Sequence, residues 1–237
     1  MIKKVSKQTK TTNLLKILIS GLVVVATASL GLLVYVVGIY ITQVTNQQQV
    51  SNQLLQLQAD VQLTSFDQEM RTINPDFIAW LTVDSTNINY PVVRGPDNIR
   101  YLDTAFNGSD NMFGTVFMDY RNHGEHVPHI ILYGHHTRHN NMFSQLHNFL
   151  EKDVAEGSYY IHLMINGRMV SYRIFSARLT DVYDSAYHLD FTSATDFTDF
   201  LERNQAPLDA QQIITLSTCV SGALSEERVI VQGFLIP

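Results

Sequence analysis

Cysteine is nearly absent from the sequence, which has one, Cys219, among 237 residues. A single thiol excludes an intramolecular disulfide, so the hydrophobic core must hold the fold together. The sequence also lacks GxGxxG and Gly-Lys-Ser/Thr segments, so no motif in it indicates nucleotide binding. Internal repeats are missing as well. These absences favour one compact domain without a recognisable nucleotide site.

Acidic residues are missing from the first quarter of the chain, where Asp60 is the first carboxylate. The N-terminal tip is instead basic, with five lysines: Lys3, Lys4, Lys7, Lys10 and Lys16. The whole chain has 16 basic and 22 acidic residues, so the part after this tip carries twice as many acids as bases. A domain this negative argues against nucleic acid as a partner.

Charge of either sign is absent from Ile17 to Ile41, a run rich in Leu, Val, Ile and Gly. The run is longer than the roughly 20 residues that cross a bilayer as a helix. A cleaved signal peptide is the alternative, but its apolar core usually has only about 7 to 15 residues. We therefore predict one transmembrane helix. Because the lysines precede it, we expect a cytoplasmic N-terminus and an extracellular domain on the cell membrane.

The predicted organisation follows from this anchor. Helical spacing of apolar residues continues from Phe66 to Ile73 and stops at Asn74-Pro75, because a residue before proline avoids the helical region. The predicted parts are a cytoplasmic basic tip (1–16), a transmembrane helix (17–41), an extracellular stalk (42–61) and a folded domain (62–237).

Eight short strands are predicted in the domain from apolar runs and alternation. They cover Phe77–Val83, Ile88–Val93, Thr115–Met118, His129–Tyr133, Tyr159–Ile165, Met169–Leu179, Gln212–Ser217 and Arg228–Leu235. Asn166-Gly167 is a strong hairpin signal, because both residues tolerate positive φ. After Pro75, helical spacing is confined to inserts at Met142–Leu150 and Ala194–Asn204, the second with Ser193 as N-cap. The pattern predicts a mostly β fold, either a closed barrel or a sandwich.

Cys219 ends an apolar strand and is followed at once by Val220-Ser221-Gly222, so its side chain can face a cleft instead of the core. Arg228 opens the next strand and returns beside Cys219 if the two strands pair. His135 follows the strand His129–Tyr133, and strand ends in one sheet can share a rim.

These three residue types suit nucleophilic catalysis. A thiol attacks an amide carbonyl as the thiolate, and a nearby imidazolium favours that ionisation and can protonate the leaving amine. An arginine stabilises the oxyanion of the tetrahedral intermediate. We therefore predict Cys219 as nucleophile, His135 as general acid/base and Arg228 as oxyanion or substrate stabiliser.

The motifs resemble those of class B sortases over essentially the whole domain from Asn74 to Phe234. They are Asp76-Phe77-Ile78-Ala79-Trp80-Leu81, Asn89-Tyr90-Pro91-Val92-Val93, Asp97-Asn98 with Tyr101-Leu102, Phe117-Met118-Asp119-Tyr120-Arg121-Asn122, Tyr133-Gly134-His135, and Thr215-Leu216-Ser217-Thr218-Cys219 with Arg228.

The resemblance implies an eight-stranded sortase β-barrel with N-terminal helices and a helical insert before the cysteine strand. It implies a cysteine transpeptidase that cleaves a C-terminal sorting signal of secreted proteins after its Thr, through a thioester acyl-enzyme. The acceptor would be an amine of a peptidoglycan precursor or of a pilin, and no metal or organic cofactor is expected. Four residues are similar to those that line the signal groove in the family: Asn98, Leu102, Tyr133 and Ser217.

Some alternatives stay open at this point. At the position of His136 many class B sortases have Asn, and at the position of Val220 several have an acidic residue. These differences leave the preferred sorting signal open. The histidine tract around His135 raises the alternative of a metal-dependent hydrolase, although it has no HExxH motif. A non-catalytic scaffold that binds sorting signals or pilins is another alternative, and Asp119 could orient His135 or simply form a turn.

Overall fold

The computed structural model describes residues 2–60, 63–123, 127–220 and 226–237. The chain divides into two units, Met1–Gln48 and Gln49–Pro237. Helix α1 covers Ile2–Asp60, so the segment predicted as a stalk is helical up to Asp60. Part of this helix, Ile19–Gln53, is long and apolar enough to cross a membrane. The predicted boundary between residues 61 and 62 lies outside the described residues.

The second unit is a closed barrel of eight strands, which confirms the predicted fold class. Around the barrel the strands follow the order β1-β2-β3-β4-β7-β8-β6-β5. Each predicted strand is present, with ends that differ by at most two residues. The strands are β1 Phe77–Val83, β2 Asn89–Val93, β3 Val116–Met118, β4 His129–Tyr133, β5 Tyr160–Ile165, β6 Arg168–Asp181, β7 Ile213–Cys219 and β8 Glu227–Leu235.

The β5–β6 hairpin forms where the sequence predicts it. Asn166 and Gly167 have φ values of 49° and 72°, and the strands pair from Ile165 opposite Arg168 onward. Positive φ at both central residues is the condition for a type I′ turn, which matches the twist of the flanking strands.

Helix α2, Leu63–Ile73, packs against β1. Its Phe66 and Met70 are buried in a cluster with Phe77 and Trp80 of β1. The Asn74 amide donates to the Met70 carbonyl at 2.9 Å and ends the helix before the proline.

Helix α3, Ala194–Arg203, lies between β6 and β7, and the Ser193 side chain caps it by accepting from the Asp196 amide. Its Phe200 and Leu201 pack with Ile213 at the start of β7. The helix therefore fixes the strand that ends at Cys219.

The insert predicted as a helix over Met142–Leu150 is instead a 3₁₀ helix over Ser144–Glu151. Asn140 and Met142 have positive φ values of 58° and 51°, so the chain cannot be helical before Phe143. Two shorter 3₁₀ helices cover Arg100–Leu102 and Ser185–Tyr187.

Candidate active site

Cys219 and Arg228 face each other across the β7–β8 ladder. The two strands are antiparallel, and their register pairs Cys219 directly with Arg228. Directly opposed residues in such a ladder project from the same face, with Cβ atoms about 5 Å apart. The six residues before Cys219 in β7 are buried, whereas Cys219 is half-buried. The strand therefore leaves the core at the thiol.

His135 reaches the same end of the barrel from β4. Strands β4 and β7 are parallel neighbours with Tyr133 beside Ser217, and the Gly134 amide donates to the Ser217 carbonyl at 3.2 Å. A Cβ on Gly134 would lie 2.7 Å from the ring of the buried Phe143. This close approach requires glycine and directs the chain so that His135 borders the cleft described next.

One cleft of about 360 Å³ contains all seven residues predicted for the site. The catalytic candidates and the groove candidates among its lining are Cys219, His135, Arg228, Asn98, Leu102, Tyr133 and Ser217. Five further side chains and one glycine line the cleft without having been predicted from the sequence: Phe117, Arg121, Val182, Tyr187, Thr218 and Gly134. Four of these residues lie within the sortase-like motifs, so the predicted site residues beside them could have indicated that they line the cleft: Phe117, Arg121, Gly134 and Thr218.

The His135 ring is oriented by a backbone carbonyl. Its Nε2 lies 2.7 Å from the Leu102 carbonyl oxygen, which can only accept, so Nε2 carries a proton. In the neutral ring, Nδ1 then has the free lone pair, and it is the nitrogen that can take up and release a proton.

Asp119 is fully buried beside the cleft, where it organises the groove. Its carboxylate accepts from Arg121 at 2.9 Å, from the Asn98 amide at 3.0 Å and from the Tyr133 hydroxyl at 3.0 Å. Burial would raise the pKa of Asp119, but the hydrogen bonds from Arg121, Asn98 and Tyr133 outweigh it and hold the pKa below its usual value. Asp119 is thus a charged anchor for two groove residues, whereas the His135 ring is held by Leu102.

Tyr187 contributes a wall of the cleft from the β6–β7 connection. Its hydroxyl is 2.8 Å from the Ser217 Oγ, and its ring stacks on Tyr133 at 6.5 Å between centroids. Asp184 caps the short helix that carries Tyr187 and is held by two hydrogen bonds from Arg178. The part of this connection between β6 and α3 has no strand or helix periodicity, so the sequence gives no signal for Tyr187.

His129, the first residue of β4, is fully buried. Its Nδ1 donates to the His188 carbonyl and its Nε2 accepts from the Thr215 hydroxyl, both at 2.8 Å. Burial lowers the pKa of His129 to about 4. The imidazole is therefore neutral in the folded protein at neutral pH.

We expect this histidine to make stability depend on pH. An unfolded His has a pKa of about 6.5, so acid protonates the unfolded chain first. The contribution of neutral His129 is complete above about pH 6.5 and is lost as pH falls towards 4, by up to about 1.4 kcal/mol per pH unit. Urea unfolding between pH 7 and 4 measures this slope.

His129→Gln should flatten the slope, since glutamine does not titrate, whereas His123→Gln, at an exposed position, should leave it unchanged. An unchanged slope in His129→Gln would show that another group causes the loss.

The histidine tract does not form a metal centre in the part of the chain that the structure describes. No group of three or more His, Cys, Asp and Glu side chains there is placed to hold an ion. His126 lies outside the described residues, and His129 is engaged by His188 and Thr215. The donor set around His135 therefore offers no support for the metal alternative.

Comparison with known proteins identifies the family. A family model described as a sortase domain matches residues 81–236, from within β1 to the end of β8. Sortase B from Staphylococcus aureus is 31% identical over 181 residues, which cover 71% of this chain and 74% of that protein. Sortase B from Listeria monocytogenes is 31% identical over 182 residues, or 71% and 73% of the two chains. The chain belongs to the sortase B family.

The barrel agrees with solved structures of the family. A sortase B–substrate complex from Staphylococcus aureus superposes with a TM-score of 0.69 at 29% identity, covering 81% of this chain and 95% of the other. Sortases are cysteine transpeptidases, and so is this class B sortase, whose described part contains one cysteine in a cleft. The predicted family and chemistry are confirmed, and the scaffold alternative is not favoured.

Proposed function

We propose that this sortase cuts a C-terminal sorting signal of secreted proteins at Cys219 and joins the new carboxyl end to a cell-wall or pilin amine. The observation that carries the proposal is the single cleft that brings together Cys219, His135 and Arg228, with Cys219 opposite Arg228 in the β7–β8 ladder. A solved structure of a relative is a sortase B–substrate complex, which supports a substrate-binding role for this chain.

His135 is the proton carrier in the proposed reaction. With Nε2 donating to Leu102, its Nδ1 takes the proton of the Cys219 thiol and later gives a proton to the leaving amine. Cys219 is half-buried at the cleft, so the thiolate is accessible to a peptide while being partly shielded from water.

Arg228 is the proposed oxyanion stabiliser. The amide of the residue after a nucleophile often fills this role, but the Val220 amide donates to the Glu227 carbonyl at 3.2 Å. The Arg228 guanidinium lines the cleft and carries five N–H donors, one of which contacts the Glu227 carbonyl at 3.0 Å. A permanent charge at this point favours the developing oxyanion more than the neutral carbonyl.

The reaction then proceeds in two halves. The thiolate attacks the scissile carbonyl carbon, and the tetrahedral intermediate collapses as the C–N bond breaks and His135 protonates the departing amine. The N-terminal part of the substrate remains as a thioester on Cys219. An acceptor amine attacks the thioester, gives a proton to His135 and releases the thiolate as the new amide forms.

We propose that four side chains bind the sorting signal: Asn98, Leu102, Tyr133 and Ser217. Asp119 fixes Asn98 and Tyr133, and Tyr187 bonds to Ser217, so these polar groups present fixed donors and acceptors to an extended peptide. Leu102, which is 41% exposed, gives the groove an apolar wall. Packing and buried hydrogen bonds keep this groove formed before the peptide arrives.

The lysine-rich tip and the apolar helix support a membrane location. We propose that residues 1–16 lie in the cytoplasm, that the helix from about residue 17 to 41 crosses the cell membrane once and that the domain after residue 62 is extracellular. Secreted proteins and envelope amines would then meet the cleft outside the cell.

Peptide transfer tests the proposed function. The full chain in detergent micelles should cleave a peptide with an Asn-Pro or a Leu-Pro signal and a Thr at the cut, but not the same peptide with a scrambled signal. Added amines, such as triglycine or a lysine amide, should convert the cleaved acid into an amide, detected by mass spectrometry. If neither signal type is cleaved and no amide forms, the proposed substrate class is wrong.

A further inference from the structure

His136, the neighbour of His135, contacts the main chain at the nucleophile. Its Nδ1 lies 2.8 Å from the Val220 carbonyl oxygen and 3.2 Å from the Cys219 carbonyl oxygen. Both oxygens can only accept, so Nδ1 carries a proton and shares it between two consecutive carbonyls.

This contact defines the shape of the chain after Cys219. Successive carbonyls of an extended strand point in opposite directions, so one donor can reach two of them only where the strand has ended. The chain bends at Val220, as the contact requires. From the other side, the Val220 amide donates to the Glu227 carbonyl at 3.2 Å. The peptide groups on both sides of Val220 are therefore held by neighbouring elements.

The His136 ring is itself held in place. It packs on the His147 ring with 4.4 Å between centroids, and His147 Nδ1 donates to the Ser144 carbonyl at 3.1 Å. The His136 backbone also forms a bridge with Met142. The ring therefore connects the Ser144–Glu151 helix to the end of β7.

The two adjacent histidines differ in what they face. His135 lines the cleft, whereas His136 is not among the residues described as lining it and turns its Nδ1 to the backbone of Cys219 and Val220. A group that holds the nucleophile's backbone acts on the position of the thiol without touching substrate.

We infer that His136 is a positioning residue of the transpeptidase reaction, holding the end of β7 through its Nδ1–H so that the Cys219 thiol meets the scissile carbonyl. The inference rests on the proposed role of Cys219 as the nucleophile. A nucleophile displaced by about 1 Å can lose about a hundredfold in rate, although its thiol and its binding groove are intact.

Two substitutions of similar polarity test where the donor must lie. Asparagine carries its amide nitrogen the same number of bonds from Cα as His Nδ1, whereas glutamine carries it one bond further, at the position of Nε2. In the full chain, His136→Asn should keep kcat within about threefold, and His136→Gln and His136→Leu should lower kcat about 10- to 100-fold. KM should change by less than about twofold in all three variants.

Two further measurements separate positioning from folding and from activation of the thiol. Thermal unfolding of the variants shows whether the barrel is intact. The rate at which a small alkylating reagent labels Cys219 should stay close to the wild-type rate, because the thiol and His135 are unchanged.

Each outcome has one meaning. Wild-type kcat in folded His136→Leu, or equal losses in His136→Asn and His136→Leu, would overturn the inference. A loss expressed in KM alone would overturn it too, as would slower labelling of Cys219 that parallels the loss of kcat. A wild-type chain that transfers no peptide would instead contradict the proposed function.

Discussion

Cys219→Ala should leave no measurable cleavage or transfer of a signal peptide, a loss of at least about 1,000-fold. Alanine removes the sulfur that must form the thioester, and the described part of the chain has no second cysteine that could replace it. Cys219→Ser should be nearly as inactive, because a serine hydroxyl gives almost no alkoxide at neutral pH. The measurement is product formation by the full chain with each peptide.

The fold should survive both substitutions. Cys219 is half-buried at the last position of β7, so truncation creates no enclosed cavity, and thermal unfolding should shift by only a few degrees. Activity in Cys219→Ala that a chelator abolishes would instead favour a metal-dependent hydrolase. Activity that resists chelators would show that a different nucleophile acts.

His135→Ala should lower kcat/KM by about 1,000-fold, within the range of about 100- to 10,000-fold that general acid–base catalysis contributes. In the proposed mechanism, the variant loses both the base that takes the thiol proton and the acid that protonates the leaving amine. The ring sits at the cleft with its Nε2 on the Leu102 carbonyl, so its removal leaves the barrel core intact.

His139→Ala is the matched control, because it removes an exposed imidazole four residues away that is not among the described lining of the cleft. It should have wild-type kinetics. Imidazole added to the buffer should restore part of the activity of His135→Ala, because a free ring can enter the vacated space. Equal kinetics in His135→Ala and wild type would show that another group carries the proton.

The strands were predictable because their pattern depends on local sequence. Each β strand alternates or is uniformly apolar, and each is bounded by turn residues such as Asn166-Gly167. The pairing of Cys219 with Arg228 could also be predicted from the sequence, since two strands joined by a short loop are usually neighbours.

Other parts of the site depend on contacts between distant segments. Tyr187 reaches Ser217 from the segment between β6 and α3, which has no periodicity, and no local pattern indicates which of its residues enters the cleft. The 3₁₀ helix at Ser144–Glu151 begins later than the predicted helix, because Asn140 and Met142 have positive φ, and the Met142 amide donates to the hydroxyl of the distant Tyr90. His136 Nδ1 meets the Val220 carbonyl only in the folded barrel.

Asp119 illustrates the same limit at a single residue. The sequence allowed two roles, a third member beside His135 or a turn. In the fold its buried carboxylate accepts from Arg121, Asn98 and Tyr133, which serves the groove. The residues that meet at this buried charge are brought together by the pairing of β3 with β4 and by the β2–β3 connection that carries Asn98.

The most direct test is to isolate the acyl-enzyme. The full chain is mixed with a signal peptide without any acceptor amine, quenched in acid and digested for mass spectrometry. We predict that the part of the peptide before the cut is attached to the fragment that contains Cys219, and that adding an amine removes it as the amide product appears. Product that forms without an adduct, or an adduct on any other residue, would contradict catalysis by Cys219.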